Sequence, residues 1–302
     1  MTRITFIGFG EAAQAMAAGL AAEKRGAVLT AYDPRLADPA AGPALMDRAR
    51  AAGVRVVAGP TEAVADADLV LSLVSGSVAV SVARTVGPDL CKGQIYVDLN
   101  SISPDAKRAA GEALRSSGGD GDFVEGAVMA RVPPLRHKTP ILLAGVEAER
   151  AARTLNALGM ACEAVGTGIG QASAVKMIRS VMVKGIEALL IESLTAAERA
   201  GVRERIVDSI SATFPGIDWR EQATYYIGRT REHGARRVTE MNESADTLVG
   251  LGMEAVLTRA IARTIADAHK KFTSAGVAGD ATYVEFVAAL AGDATMTNEA
   301  PA

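Results

Sequence analysis

The sequence predicts an α/β fold: a doubly wound parallel sheet over the first half of the chain, followed by an all-α second domain. Three observations predict it. Short apolar runs alternate with helical patterns up to about residue 165. A glycine turn, Gly8-Phe9-Gly10, follows the first of those runs. From Gln171 onward apolar residues recur with helical period and no strand signal returns. The chain of 302 residues exceeds the roughly 100–200 of a typical domain, which also argues for two.

Taken in order, Arg3–Gly8 reads as a strand and Glu11 to about Arg25 as a helix. Strands follow at Val28–Tyr32, Val54–Val57, Leu69–Val74 and Gln94–Leu99. Phe123–Val128 and Ile141–Ala144 come after the turn Gly118-Gly119-Asp120-Gly121. Strands separated by helices imply right-handed βαβ crossovers. Glycines at 166, 168 and 170 then mark a boundary, placing one domain over residues 1–168 and a helical one over 169–292. The expected helices are Gln171 to about Ala200, Val202–Ala212, Trp219–Gly234, Arg236–Leu251 and Met253–Ala275, with a disordered tail over 293–302.

Composition narrows the function classes. Net charge is −3 with no block of Lys and Arg, so nucleic acid and anionic membranes are poor partners and a small-molecule substrate is the expectation. Aromatic residues are only 4%, which favours close-packed helices over a large aromatic core. Cys91 and Cys162 lack CxxC spacing, and His137, His233 and His269 are scattered; neither a disulfide framework nor a metal site is expected. The apolar run before Gly8 is too short for a signal-peptide core, and no stretch reaches membrane-span length. A cytoplasmic location is the expectation.

The turn Gly8-Phe9-Gly10-Glu11-Ala12-Ala13 fits GxGxx[G/A] after a strand and at the opening of a helix. Gly8 permits the tight turn, Gly10 lets the backbone approach a pyrophosphate, and Ala13 allows close helix–strand packing. The helix N-terminus offers free N–H groups to the phosphates. Asp33, 25 residues after Gly8 and at the end of the second strand, can accept from the ribose hydroxyls of a dinucleotide and would repel a 2′-phosphate. This Rossmann-type pattern therefore predicts NAD or NADP, with Asp33 favouring NAD and Arg35 keeping NADP open. Asn100 and Ser101 follow a strand at the carboxyl edge of the sheet, where such folds bind ligands. The Ser101 hydroxyl could hold substrate and the Asn100 amide could face the nicotinamide ribose, or the pair could simply build a turn with Pro104. Lys176 opens a largely apolar helix behind the glycine cluster, with Arg179, Ser180 and Lys184 on its face. It could move a proton to or from a substrate oxygen, or belong to a solvated cationic stripe.

Four segments carry a resemblance: the glycine turn continued by Met16-Ala17; Val97-Asp98-Leu99-Asn100-Ser101-Ile102-Ser103-Pro104; Phe123-Val124-Glu125-Gly126-Ala127-Val128-Met129-Ala130-Arg131; and Gly170-Gln171-Ala172-Ser173-Ala174-Val175-Lys176. Together they resemble the β-hydroxyacid dehydrogenases, the superfamily of 3-hydroxyisobutyrate and 6-phosphogluconate dehydrogenases. The likeness runs over roughly residues 1–195; beyond it the chain is similar to a poorly characterised helical C-terminal domain. The resemblance implies Lys176 as general acid/base, Val74 and Ser75 beside the cofactor, and a homodimer. It also implies substrate positions at Ser101, Met129, Arg131 and Ser180. Two departures stand out. Met129-Ala130-Arg131 replaces the family's Ser-Gly-Gly, so that Arg131 could grip a carboxylate with its own guanidinium. Ser180 stands where the family has a substrate-orienting asparagine. The expected activity is hydride transfer between NAD(P) and a hydroxyl or carbonyl substrate, foremost a β-hydroxy acid. An NADPH-dependent imine or aldehyde reductase on the same scaffold is the alternative, and a non-catalytic nucleotide sensor the remote one.

Overall fold

β1 (Thr2–Ile7) carries the buried run Ile4-Thr5-Phe6-Ile7 into the glycine turn, and α1 (Glu11–Glu23) starts directly after Gly10. The computed structural model describes residues 1–292. From β2 (Ala27–Tyr32) the chain runs through α2 (Gly42–Ala51), β3 (Arg55–Val56), α3 (Pro60–Val64), β4 (Leu69–Ser72) and α4 (Ala79–Val86). It continues through β5 (Ile95–Asp98), α5 (Pro104–Arg115) and β6 (Asp122–Val128). Then come the one-turn α6 (Val132–Leu135), β7 (Pro140–Ala144), α7 (Ala148–Ala157) and β8 (Ala161–Gly166). The eight strands form one sheet in the order β3-β2-β1-β4-β5-β6-β7-β8.

Apolar residues cover the sheet on both faces. One cluster joins Phe6, Leu29, Leu71, Val97 and Val124 to Met16 and Leu20 of α1 and Leu155 of α7. The other joins Ile7, Val70 and Tyr96 to Val86 of α4 and Leu114 of α5. Strands buried on both sides read as continuous apolar runs, which is why β4 and β5 are legible as strands. The register aligns Tyr32, Ile7, Ser72, Asp98 and Glu125 across five neighbouring parallel strands. The residues that follow each of these therefore emerge along one carboxyl edge.

The sheet departs from the expected all-parallel arrangement in one place. β6 and β7 pair antiparallel, because the connection Met129–Thr139 holds only a single α-helical turn and a 3-10 turn. A parallel crossover needs a dozen or more residues, usually with a full helix. β8, an edge strand parallel to β7, has no counterpart among the expected strands. Only Cys162 on it is fully buried, so its sequence lacks the apolar run that marks the inner strands.

The chain separates into two compact units, Met1–Lys176 and the residues from Met177 on, with the division inside α8 (Gln171–Arg199). The second unit contains α9 (Arg203–Thr213), α10 (Trp219–Gly250), α11 (Val256–Ala275) and α12 (Tyr283–Ala291) around a core of Leu190, Leu194, Ile227, Phe272 and Phe286. The two helices expected over 219–251 are one helix kinked at His233 (φ −132°, ψ 21°). At the kink Gly234 lies so close to His269 that no side chain fits. α11 begins three residues later than expected, after Ala255 in a left-handed conformation. α12, unanticipated, opens on a capping box between Thr282 and Glu285. The expected tail over 293–302 lies outside the described residues.

Candidate active site

Gly8 leaves β1 with φ +88°, and a Cβ there would lie 2.5 Å from the Leu73 carbonyl oxygen. Only glycine makes this turn. Gly10 caps α1 with its backbone alone, no side chain satisfying the first-turn N–H groups. A Cβ on Gly10 would meet only the Arg35 guanidinium, at 3.8 Å. Free donors beneath open space are what a pyrophosphate requires, so the turn fits the phosphates of a dinucleotide. Glu11 is exposed and Ala12 half-buried at this helix start. Phe9 points the other way, into the core against Phe6; only its backbone faces the turn.

That backbone N–H donates to Asp33 Oδ2 at 2.8 Å, tying the end of β2 to the turn. Asp33 is 4% exposed, and its remaining lone pairs are taken by Arg35: N and Nε at 2.9 Å on Oδ1, Nη2 at 2.7 Å on Oδ2. Burial pushes the Asp33 carboxyl up, but the Arg35 guanidinium and the Phe9 and Arg35 amides outweigh it and hold it below its ordinary value. The guanidinium itself stays more than half exposed.

The next strand ends are cross-braced. Val74 packs over Gly8 and donates its N–H to Asn100 Oδ1 at 2.7 Å, while Asn100 Nδ2 donates to Ser72 Oγ at 3.1 Å. The Asn100 amide thus knits β4 to β5, with both its polar atoms engaged. Ser75 is exposed and bonds Ser77 at 3.1 Å. Ser101, one residue on, has a buried hydroxyl with no hydrogen-bond partner among the described residues. A buried hydroxyl left unpaired is costly, and such a group at a carboxyl sheet edge is suited to a ligand.

Met129 donates its N–H to Pro140 O at 2.9 Å, and its side chain packs against a cluster of Ala127, Ala144 and Ala172. Arg131 is exposed, with no hydrogen bond or ion pair among the described residues. Lys176 is half-buried on α8. In the second unit Ser180 is buried and accepts from Lys184 Nζ at 3.2 Å; that ammonium also pairs with Glu240 at 3.1 Å. Burial lowers the Lys184 pKa in spite of Glu240, with Arg237 and Arg236 adding to the decrease. Glu187, fully buried, is held by Arg237 and Thr230. The structure therefore links the glycine turn, Asp33, Val74 and Asn100 directly, and packs Met129 against the first turn of α8. Ser75 and Arg131 stand outside these links.

Two centres of buried charge in the first unit were not among the expected site residues. Lys107 on α5 is fully buried and donates to Asp98 Oδ1 at 2.8 Å, Asp98 O at 2.6 Å and Gly126 O at 3.1 Å. Asp98 in turn accepts the Asn100 N–H at 2.8 Å. Glu125, on β6, is the second. The signal for Glu125 is present in the sequence: one charged residue inside the run Phe123-Val124-Glu125-Gly126-Ala127-Val128, where burial requires a partner.

A doubly wound sheet, a glycine turn after β1 that fits phosphates and a buried carboxylate after β2 are the features of a nicotinamide-dinucleotide oxidoreductase fold. Comparison with known proteins agrees. Residues 3–101 match the family described as NADP oxidoreductase, coenzyme F420-dependent, and residues 197–268 match domain of unknown function DUF1932. A conserved hypothetical protein of Sinorhizobium meliloti 1021 is 54% identical over 96% of both chains, with a TM-score of 0.81. A conserved protein of unknown function, described as structurally similar to 3-hydroxyacid dehydrogenases, is 35% identical over 91% of this chain and 100% of its own (TM-score 0.73). The Mycobacterium tuberculosis 3-hydroxyisobutyrate dehydrogenase shares the fold at 22% identity, 96% and 98% coverage and a TM-score of 0.72. The chain belongs to the β-hydroxyacid dehydrogenase superfamily.

Proposed function

We propose that the protein interconverts a carbonyl and a hydroxyl group on a small carboxylic acid, foremost a β-hydroxy acid, using NADP(H). The observation that carries the substrate assignment is Arg131: an exposed guanidinium with no hydrogen-bond or ion-pair partner among the described residues, three residues past the end of β6. A planar fork of donors suits a carboxylate, and Arg131 stands where the superfamily binds that group through backbone amides. When bound, the nicotinamide supplies or accepts the hydride. Ser101 Oγ, buried and without a hydrogen-bond partner among the described residues, holds the substrate oxygen, and Lys176 Nζ gives a proton to that oxygen in reduction or takes it in oxidation. Met129 narrows the space near α8 and selects against the smallest substrates.

The preference for NADP(H) rests on the geometry around Asp33. A ribose diol needs a carboxylate with free lone pairs, and here Arg35 occupies them, while its guanidinium stays exposed beside the glycine turn for a 2′-phosphate. The exposed apolar residues Ile178, Met182 and Leu189 of α8 support assembly as a homodimer, and we place the protein in the cytoplasm. A second reading, reduction of an imine or aldehyde, is favoured by Ser180: its hydroxyl accepts from Lys184 within α8 instead of standing open to orient a hydroxy acid.

The test is turnover with NADPH against panels of β-keto acids, aldehydes and cyclic imines, in wild type and Lys176→Ala. The proposal expects keto-acid reduction, lost by about 10²–10⁴-fold without the lysine. Activity confined to imines supports the second reading. Full activity of Lys176→Ala contradicts the role given to Lys176.

A further inference from the structure

A carboxylate in the middle of a buried strand must be satisfied by donors from elsewhere. Three converge on Glu125. The backbone N–H groups of Gly170 and Ala172 donate to Oε1 at 2.7 and 2.9 Å, and the Ser173 hydroxyl donates to Oε2 at 2.7 Å. The two amides lie where α8 begins, so they belong to the orphan donors that every helix start carries. Glu125 caps α8 from a strand 45 residues earlier in the chain. A carboxylate at this end is favoured by the aligned peptide dipoles, and charge-assisted bonds hold it more tightly than a neutral cap would.

The same turn is fixed from two more sides. Gln171 Oε1 accepts the Gly168 N–H at 3.0 Å, and Arg108 Nη1 of α5 donates to Ile169 O at 3.4 Å. Gly170, at φ +106°, holds a backbone conformation that suits glycine, with the Arg108 guanidinium close beside it. α5 starts directly after the Asn100–Ser103 loop, and β6 runs directly into Met129 and Arg131. The three segments that carry Ser101, Arg131 and Lys176 are thus joined at one glycine turn, and Glu125 is its central acceptor.

We infer that Glu125 is a positioning residue for Lys176: by closing the first turn of α8 against β6, it sets where the lysine stands relative to the substrate loop. The inference rests on the proposed acid/base role of Lys176. Lys176 lies five residues after Gln171, less than two helical turns from the cap, so fraying or rotation at the start of the helix displaces it. Glu125→Gln keeps the shape of the side chain but turns one acceptor into an amide donor that faces further donors.

The experiment compares wild type, Glu125→Gln, Glu125→Asp, Ser173→Ala and Lys176→Ala by hydrogen exchange and by steady-state kinetics with NADPH and a carbonyl substrate that wild type reduces. In Glu125→Gln the amides of residues 172–176 are expected to exchange about tenfold faster, the rest of the first unit being unchanged. Its kcat should fall about 10- to 100-fold, with KM and the NADPH dissociation constant held within about twofold. Asp, with the charge but a shorter reach, should recover part of the loss. If Glu125→Gln does not fold, Ser173→Ala, which removes a single donor, should show the same split between kcat and KM to a smaller degree. Normal kcat per folded molecule in Glu125→Gln, or in Ser173→Ala where it alone folds, overturns the inference even where stability drops. Unchanged turnover in Lys176→Ala overturns the proposed acid/base role instead, and with it the premise here; the exchange measurement reads the cap on its own.

Discussion

Asp33 and Arg35 show how two neighbouring side chains redirect a motif. The position of Asp33 was legible in the sequence from its place after the second strand; what the carboxylate binds was not, because local pairing depends on where Arg35 folds back. If Arg35 reads a 2′-phosphate, Arg35→Ala should weaken NADPH binding by about 10- to 100-fold, the worth of one charged hydrogen-bonding contact. NADH affinity should hold or rise, since the carboxylate is released; calorimetric titration of both nucleotides checks this. Equal losses for the two would remove Arg35 from that role. Asp33 also leaves a signature in pH dependence. Its folded pKa lies below the ordinary 3.8, so the stability it contributes is present above 3.8 and is lost as pH falls through the lower folded value. Thermal midpoints measured from pH 5 downward should therefore fall less steeply in Asp33→Asn than in wild type, where the carboxylate takes up its proton late. Among the remaining site residues, Gly8 was readable because only glycine makes its left-handed turn, and Gly10 because a bare backbone at a helix start lets a phosphate approach. The engagement of Asn100 was not, since its partners Ser72 and Val74 come from another strand.

At the scale of elements, continuous apolar runs and helical period identified β1, β2, β4, β5, β6 and α8, because burial on both faces or along one stripe writes itself into composition. The strand direction of β7 followed instead from a short connection, and β8 from edge pairing with few buried residues. Neither leaves a periodic trace. The kink in α10 hides for a related reason: Gly234 is dictated by His269, 35 residues away. The buried pair Lys107–Asp98 makes a prediction at this scale, since its ammonium joins α5 to β5 and to the Gly126 carbonyl of β6. Lys107→Ala leaves a buried carboxylate without its counter-ion and should cost about 3–5 kcal/mol in urea unfolding, with Lys107→Ala/Asp98→Asn recovering part of it. A loss below about 1 kcal/mol would mean that the pair does not hold the strand ends together.

For the whole molecule, the proposed homodimer can be tested on exposed apolar residues of the second unit. Met182 is 71% and Leu189 69% exposed on α8, and Val256 and Leu257 exceed 65% at the start of α11. The proposed homodimer would cover these residues. Sedimentation at micromolar concentration should give a dimer, and Met182→Lys/Leu189→Lys a monomer that keeps its helical circular dichroism; a monomeric wild type would remove the assembly proposal. Among the described residues no helix is long and apolar enough to cross a membrane. The two-part organisation was visible in the switch of periodicity near the glycine cluster, whereas substrate identity was not, because the positions proposed to hold substrate, Met129, Arg131 and Ser180, each differ from the superfamily pattern.

The central claim, that the first unit is a nicotinamide-dinucleotide site, is tested most directly by thermal unfolding with equal concentrations of NAD, NADH, NADP and NADPH. A ligand bound only by the folded state stabilises it by mass action, by about 2.7 kcal/mol at a hundredfold excess over its dissociation constant, and so raises the midpoint. A clear rise is expected with NADPH and NADP and a smaller one with NADH and NAD. A rise confined to the NAD pair would make Asp33 the ribose reader and leave the oxidoreductase standing. No rise with any of the four would contradict it.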